Sequence, residues 1–411
     1  MISVSEALQE ILSAFHPLES ETIPLSEASG RVLFEGVCSD VDLPIFTNSS
    51  MDGFAVRAKD ITGASQDNPV QLSVVEDIPA GKFPVIKIAE NQASRIMTGA
   101  PVPEGADAVV PVEDTDQYDS KSRSGYDLKP IVDIYRAVKS GDYVRQQGED
   151  IRKSEIVLDA KAPLKPQELG ILAMLGIAEV QVSRKPRVAI LSTGDELVPI
   201  EQPLESGQIH DSNAYTLSAL IERDYGIPDY LGIVPDNEKA VREFLETAAD
   251  DRADLILTSA GVSVGVFDYV RSVVESEGEL SFWRVNMRPG KPVVFGKFKD
   301  VPFIGLPGNP VSAFVGYEVF VRPAILKMSG IMKVPRYKIN ARLDESIKSD
   351  GRESYLRGVL DYTDGEWIAR LTGHQGSGNL LSLVHANGLL IIPAGVKSLP
   401  SGSEIDAWLL D

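Results

Sequence analysis

Cysteine, histidine and long apolar runs are scarce in this 411-residue sequence, and each shortage excludes a class of protein. The single cysteine, Cys38, allows no disulfide within the chain, and the sequence shows no residue paired with it that would make it a thiol nucleophile. The four histidines lack metal-ligand spacing, which argues against a zinc site. No apolar run is long enough to span a bilayer, and the first residues do not form a basic region followed by an apolar core. We therefore expect no membrane partner, no secretory signal and a cytoplasmic location.

Basic residues are also in the minority. The chain has 40 Lys and Arg against 60 Asp and Glu, a formal net charge of −20. This balance argues against nucleic acid and anionic membranes as main partners. No P-loop or dinucleotide-binding fingerprint is present. What remains is a globular chain with 43% hydrophobic residues, long enough for roughly two to four domains.

One segment departs from the acidic background. Between Ser281 and Asp300, five basic residues stand against one acidic residue, a local charge of +4. Within it, Arg288 and Lys291 belong to the run Arg-Pro-Gly-Lys-Pro, whose prolines restrict the backbone around both cations. A fixed pair of cations suits capture of a phosphate or another oxyanion. The segment therefore predicts a site for a phosphate-bearing ligand.

Strand-helix alternation from about residue 187 to 327 predicts a parallel, doubly wound sheet, in which ligands bind beyond the carboxyl ends of the strands. Two polar loops in this region, 259–265 and 307–310, follow predicted strands and precede helix-like stretches. Glycines let a backbone approach a ligand closely, and helix N-termini present free N–H groups. A tight turn and a helix start capped by Asn309 are the plain alternatives. Predicted elements are strands at 188–191, 230–234 and 254–258, a helix at 238–249, and a helix capped by Ser212 or Asn213.

Four carboxylates also follow predicted strands of this sheet: Asp195, Glu196, Asp236 and Asp268. Most acidic residues of such a chain are simply solvated. Beside a phosphate site, however, oxygen ligands of this kind suggest Mg²⁺.

The rest of the chain shows other sequence patterns. An amphipathic first helix carries a capping box at Ser3 and Glu6. Short β-like runs follow to about residue 180, with an insertion that leaves a small core near residue 46 and rejoins it near 145. From about residue 331, short strands and turns return and predict a small β-barrel.

Seven motifs occur in a fixed order: Ser-Met-Asp-Gly-Phe-Ala (50–55), Arg-Ile-Met-Thr-Gly-Ala-Pro-Val-Pro (95–103), Gly-Glu-Asp-Ile (148–151), Ser-Thr-Gly-Asp-Glu-Leu (192–197), Gly-Val-Ser-Val-Gly (261–265), Arg-Pro-Gly-Lys-Pro (288–292) and Gly-Leu-Pro-Gly-Asn-Pro-Val-Ser (305–312). Together they resemble the molybdopterin molybdenumtransferase family, which includes bacterial MoeA proteins and the gephyrin E domain. The resemblance covers nearly the whole chain.

The resemblance implies a mixed α/β and β multidomain fold. Its domains would be an extended dimerisation domain (1–45 and 145–180), an inserted β-rich domain (46–144), a molybdopterin-binding α/β domain (181–330) and a β-barrel (331–411). It also implies a homodimer whose subunits share the active site. Molybdopterin adenylyltransferase and molybdoenzymes are possible further partners.

The implied reaction takes adenylylated molybdopterin, inserts molybdenum from molybdate at the dithiolene, and releases AMP with Mg²⁺. No protein nucleophile is needed for such a reaction. The implied catalytic residues are Asp52, Thr98, Asp150, Glu196, Asp236 and Asp268, with Asp268 and Glu196 at the metal. The implied substrate-binding residues are Ser259, Gly261, Ser263, Gly265, Arg288, Lys291, Pro307, Pro310, Arg357 and Ser377.

Two departures and two alternatives qualify the resemblance. Ala260 replaces a glycine of many relatives, and we expect its methyl group to exclude positive φ at low cost. Arg288 stands where lysine is frequent, so the charge is kept but its geometry differs. The alternatives are the preceding step, adenylylation of molybdopterin with ATP, and an inactive scaffold. The choice between molybdenum and tungsten, the recipient enzymes and the strength of the dimer stay open.

Overall fold

The computed structural model describes residues 1–118, 129–260, 269–331 and 336–410. The chain divides into two compact units. The first unit contains Met1–Glu35, Lys161–Gly170 and Ala178–Asp411, and the second contains Gly36–Ala160 and Ile171–Ile177. Within the described ranges, no helix is long and apolar enough to cross a membrane. Our four domain boundaries stay predictions.

The first helix confirms the predicted capping box. The hydroxyl of Ser3 accepts a hydrogen bond from the Glu6 amide at 3.2 Å, and the Glu6 carboxylate accepts one from the Ser3 amide at 2.8 Å. The elements up to residue 183 are α1 (Val4–Ser13), β1 (Ser20–Pro24), β2 (Val37–Cys38), β3 (Asn48–Ser49), β4 (Gly53–Val56), β5 (Val70–Ile78), β6 (Gln92–Ile96), β7 (Ala108–Pro111), β8 (Ile131–Ile134), β9 (Val144–Arg145), β10 (Ile156–Leu158), α2 (Pro166–Met174) and β11 (Glu179–Ser183).

The second unit is built on a five-stranded sheet of order β7-β4-β6-β5-β8. All neighbours are antiparallel except β5 and β6. Its core includes Phe54, Leu72 and Val110, which are at most 1% exposed. Outside this sheet, β3 pairs with β9 and β2 with β10, so distant segments of the chain close the unit.

The α/β region of the first unit follows strand-helix alternation, as the sequence predicts. The helix at Glu238 ends at Asp250, and the strand near residue 254 is Leu255–Ser259. The N-cap of the preceding helix is Asp211, whose carboxylate accepts from the Ala214 amide at 3.1 Å, so our choice of Ser212 or Asn213 was wrong. The elements are β12 (Arg187–Thr193), β13 (Leu197–Val198), β14 (Ile209–His210), α3 (Ser212–Arg223), β15 (Ile227–Val234), α4 (Glu238–Asp250), β16 (Leu255–Ser259), α5 (Tyr269–Glu277), β17 (Gly278–Phe282), β18 (Met287–Arg288), β19 (Val294–Phe298), β20 (Val301–Leu306), α6 (Pro310–Gly316) and α7 (Arg322–Met328).

The central sheet has the order β15-β12-β16-β20-β19-β17. The first four strands are parallel. β19 runs antiparallel to both of its neighbours, β20 and β17, because no helix connects it to either of them. Alternate residues of β12 enter different cores: Ile190 packs with α3, and Leu191 packs with α4 and α5. Both faces are covered by helices, which confirms the doubly wound fold.

The C-terminal region forms a closed five-stranded β-barrel, which confirms the predicted barrel. Its strands close in the order β23-β24-β21-β27-β25, with β25 pairing back to β23. β18 of the α/β region pairs in parallel with the start of β23, so main-chain bonds join the two regions of the first unit. The elements are β21 (Lys338–Leu343), β22 (Ile347–Lys348), β23 (Glu353–Thr363), β24 (Glu366–Leu371), α8 (Leu381–Val384), β25 (Gly388–Ile392), β26 (Ser398–Leu399) and β27 (Glu404–Leu409).

Candidate active site

The polar loops of the α/β region meet at one edge of the central sheet. In the strand register Ser192 lies opposite Ser259, and Ser259 lies opposite Leu306. The four parallel strands therefore end side by side, as the sequence predicts. The loops that begin at Gly194, Pro235, Ala260 and Pro307 all leave from this edge.

Asn213 joins two of these loops, and the sequence reasoning considered it only as a helix cap. Its side-chain amide donates to the Ser259 hydroxyl at 2.6 Å and to the Gly308 carbonyl at 2.8 Å. Ser259, predicted to bind substrate, is only 2% exposed, and its hydroxyl is used in this contact. Gly261, Ser263 and Gly265 lie outside the described residues. The buried polar position of Asn213 in the first turn of α3 is the signal that could have revealed it.

The expectation for Ala260 was wrong. Its φ is +77°, in the left-handed region that favours glycine. The Ala260 amide donates to the Leu306 carbonyl at 3.0 Å, so the neighbouring strand holds the loop in this conformation. A Cβ at Gly308 would lie 3.0 Å from the Ala260 Cβ, so the methyl group also restricts the adjacent loop.

Three carboxylates form a cluster at the same edge: Asp195, Glu196 and Asp236. The Asp236 amide donates to the Asp195 carboxylate at 3.1 Å. The pKa of Asp236 is raised, first by partial burial and then by the negative charges of Asp195 and Glu196. Among the residues described, no three His, Cys, Asp or Glu side chains are arranged to enclose a metal ion. Mg²⁺ commonly binds through one or two carboxylates together with water and substrate phosphates, so this crowded donor set, which has no cationic partner among the described residues, suits it.

A basic cleft of about 380 Å³ lies between the α/β region and the barrel of the first unit. Five predicted site residues line it: Arg288, Lys291, Pro307, Arg357 and Ser377. Pro310 is not in the lining but begins α6 next to it. Among the described residues no carboxylate lines the cleft, although 60 acidic residues are present in the chain. The additional lining residues are Pro289, Gly290, Pro292, Asn309, Ser312, Arg352, Leu356, Gln375 and Gly376.

Arg357 is the most constrained cation of the basic cleft. Its side chain lies on β23 and the residue is 0% exposed. The guanidinium donates to the Ser382 hydroxyl at 2.9 Å and to the Gly376 carbonyl at 3.0 Å. It forms no ion pair with any residue that the structure describes. Burial, and then repulsion from Arg288, lowers the pKa of Arg357 to about 10, so it is charged at neutral pH.

The loop that carries Ser377 is held by hydrogen bonds that involve the Gln375 side chain and the Ser377 carbonyl. Gln375 accepts from the Arg357 amide and donates to the Arg357 carbonyl, both at 3.0 Å. The Ser377 carbonyl accepts from the Val311 amide at 3.0 Å, in the first turn of α6. Asn309 occupies the cap position of α6 but makes no capping bond with its side chain. Gln375 was missed from sequence because its role depends on a side-chain contact with the backbone of a residue 18 positions away.

The remaining predicted residues, Asp52, Thr98 and Asp150, belong to the second unit. Asp52 accepts from the Thr98 amide at 2.7 Å and from its hydroxyl at 2.8 Å, so the structure brings these two together. Asp150 instead pairs with Arg145. That they reach the active site stays a prediction. Asp268 lies outside the described residues.

Comparison with known proteins gives consistent matches along the chain. Three family models match: the MoeA N-terminal region (domains I and II) at residues 2–176, a probable molybdopterin binding domain at 189–327, and the MoeA C-terminal region (domain IV) at 340–410. Molybdopterin molybdenumtransferase 2 of Mycobacterium tuberculosis is 39% identical over 419 residues, covering 99% of this chain and 99% of the relative. Molybdopterin molybdenumtransferase of Haemophilus influenzae is 36% identical, covering 98% of each. The crystal structure of a molybdopterin biosynthesis MoeA protein from Pyrococcus horikoshii matches with a TM-score of 0.82 and 32% identity over 100% of both chains.

Proposed function

The chain belongs to the molybdopterin molybdenumtransferase family, and we propose that it converts adenylylated molybdopterin to the molybdenum cofactor. In this reaction molybdenum from molybdate is inserted at the dithiolene, and AMP is released with Mg²⁺. The relatives' names support an enzyme of molybdenum cofactor biosynthesis that transfers molybdenum. The adenylylated substrate and the role of Mg²⁺ are the finer part of the proposal.

The observation that carries the proposal is the buried, uncompensated charge of Arg357. A guanidinium that is 0% exposed and has no carboxylate partner among the described residues is unfavourable without an anion. Arg288 and Lys291 line the same cleft and form no ion pairs with described residues. Molybdate, a small dianion, would satisfy these cations through charge-assisted hydrogen bonds. Ser377 also lines the cleft, and its hydroxyl group would be a neutral donor.

The carboxylate cluster supports the use of Mg²⁺. Glu196 and Asp236 would hold the ion, with Asp268 as a further ligand implied by the family resemblance. When bound, Mg²⁺ neutralises phosphate charge and assists departure of AMP. The protein's own contribution is to hold the acidic side chains at the carboxyl ends of the parallel strands and the cations in the basic cleft. Both groups position the substrate.

The family resemblance further supports a cytoplasmic homodimer in which Asp52, Thr98 and Asp150 act at a shared active site. Molybdopterin adenylyltransferase is proposed to supply the substrate, and molybdoenzymes to receive the product. Within the second unit, the bond between Asp52 and Thr98 supports a joint role for these residues.

The test is AMP release from adenylylated molybdopterin, with and without molybdate and Mg²⁺. We expect release only when both are present, together with formation of active cofactor. Lys291→Met is expected to raise the KM for molybdate at least tenfold, since a charged hydrogen bond is lost. Lys299→Met is the matched control, because Lys299 belongs to the same basic segment but pairs with Asp250. Substrate binding without release would instead indicate a scaffold, and synthesis of the adenylylated species from ATP would indicate the preceding step.

A further inference from the structure

Arg352 is a fourth cation of the basic cleft, and its guanidinium is bonded on two sides. Nε and Nη2 donate to Oδ2 of Asp350 at 3.0 and 2.5 Å. Nη1 donates to the Met287 carbonyl at 3.0 Å. The Arg352 amide also donates to Oδ1 of Asp350 at 3.1 Å, so one carboxylate holds both ends of the residue. Arg352 is thereby fixed in the wall of the cleft.

Strand pairing explains why Arg352 lies beside Arg288. Met287 lies opposite Glu353 and Arg288 lies opposite Ser354, in parallel register. Arg352 directly precedes this pairing, so its side chain reaches back to the Met287 carbonyl next to Arg288. Of the five N–H groups of the guanidinium, three donate to Asp350 and Met287. The other two have no partner among the described residues.

An exposed pair of arginine and carboxylate usually contributes little to stability, and a pair on the same barrel provides a comparison for Arg352 and Asp350. Arg342 donates twice to Glu366 on the surface of the same barrel, at 3.0 and 2.7 Å; it makes no third hydrogen bond to a described residue and is not part of the lining of the basic cleft. Arg352 differs in both respects: it is tied to the strand that carries Arg288, and it lines the basic cleft. A planar guanidinium with two free donors suits a tetrahedral oxyanion better than a mobile ammonium does.

We propose that Arg352 is a further oxyanion-binding residue of the cleft and that Asp350 is the positioning residue that orients it. This inference rests on the proposed function, because it assigns the cleft to molybdate. Arg352 supplies charge and two donors, and Asp350 fixes the direction in which they point.

The experiment is calorimetric titration of the full-length protein with molybdate. Arg352→Met is expected to weaken binding ten- to a hundredfold, as for loss of a hydrogen bond between charged groups. Arg352→Lys keeps the charge but loses the planar donors, so we expect an intermediate affinity. Asp350→Asn is expected to weaken binding severalfold although it makes the protein less acidic. Arg342→Met is the control and is expected to bind like the wild type.

Kinetics distinguish binding from general damage to the fold. In Arg352→Met, the KM for molybdate should rise while the KM for adenylylated molybdopterin and the thermal midpoint stay near wild-type values. Binding of molybdate by Arg352→Met as tight as by Arg342→Met would overturn the role of Arg352 and leave the proposed function intact. Tighter or unchanged binding by Asp350→Asn would overturn the orienting role of Asp350. A wild-type protein that binds no molybdate would overturn the assignment of the cleft itself.

Discussion

Replacing Arg357 with methionine is expected to stabilise the ligand-free protein while removing its response to oxyanions. The side chain is fully buried and has no carboxylate partner among the described residues. Its pKa falls well below the usual value for arginine, to about 10, with burial as the first cause and Arg288 as the second. A shift of this size corresponds to roughly 3 kcal/mol of unfavourable energy for the charged form. Because neutral pH lies below the lowered pKa, this cost is fully present there and is relieved only in strong alkali.

Methionine fills a similar volume without the charge, so the expected gain is that cost less the lost hydrogen bonds. Arg357 donates two, to Ser382 and Gly376, each worth about 1 kcal/mol net. The Ser382 hydroxyl keeps its bond to the Asn379 carbonyl, so it is not left without a partner. The balance is a gain of about 1 kcal/mol, or a few degrees in the thermal midpoint.

A second buried arginine provides the matched control. Arg322 is 7% exposed, but its Nε donates to Asp224 at 3.0 Å, and its guanidinium lies 3.5 Å from Glu318. Arg322→Met breaks a buried ion pair and is expected to lose about 3–5 kcal/mol. The two variants should therefore shift the midpoint in opposite directions.

The assay is thermal unfolding with and without molybdate. A ligand at a hundred times its Kd stabilises a protein by about 2.7 kcal/mol, so the wild-type midpoint should rise. Arg357→Met should show no such rise. A large drop in its ligand-free midpoint, like that of Arg322→Met, would refute the idea that its charge is uncompensated. A full response to molybdate would refute its place in the oxyanion site.

Three further predictions concern the strand-end loops and the second unit. Ala260→Gly is expected to stabilise the protein by about 1 kcal/mol in denaturant unfolding, because it relieves an alanine in the left-handed conformation. Gly308→Ala should destabilise the wild type but be better tolerated in the Ala260→Gly variant, which lacks the facing methyl group. Additive effects of the two changes on the free energy of unfolding would contradict the 3.0 Å contact. Because the pKa of Asp236 is raised, its ionised form destabilises the fold above that pKa, and this penalty disappears as the pH falls through the pKa. Asp236→Asn should therefore raise the thermal midpoint most at neutral pH. An equal rise at acidic pH would show that the charge of Asp236 is not the cause. Asp52→Asn keeps an acceptor for Thr98 and should leave the thermal midpoint near that of the wild type while AMP release falls at least tenfold, so undiminished release would remove Asp52 from the mechanism.

Local sequence patterns predicted the regular elements well. The helix expected at 238–249 is Glu238–Asp250, and the capping box at Ser3 is present. These features depend on residues within a few positions of one another, so a pattern can reveal them. The shared edge of the sheet also followed from sequence, since parallel strands must end on the same side.

Features that depend on contacts between distant segments were missed or mistaken. The φ of Ala260 is set by a bond to Leu306, which a local rule for alanine ignores. Asn213 bridges to Gly308 across 95 positions, and Gln375 pairs with the backbone of Arg357. Arg357 itself was reached only through the family resemblance, because a single arginine inside the run Tyr-Leu-Arg-Gly-Val-Leu does not reveal whether its charge is buried.

Among the described residues of the first unit, both signs of charge lack a compensating partner, and this is the physical link between its two clusters. The pKa of Asp236 is raised by neighbouring carboxylates, whereas that of Arg357 is lowered by burial and by Arg288. A fold optimised only for stability would pair such groups with each other or replace them with apolar residues. Keeping them apart costs stability, but a ligand that carries both anions and a divalent cation can relieve both costs when it binds. A phosphate ester with Mg²⁺, together with an oxyanion, has this combination of charges, which is why the chemistry of the proposed substrates matches the electrostatics of the protein.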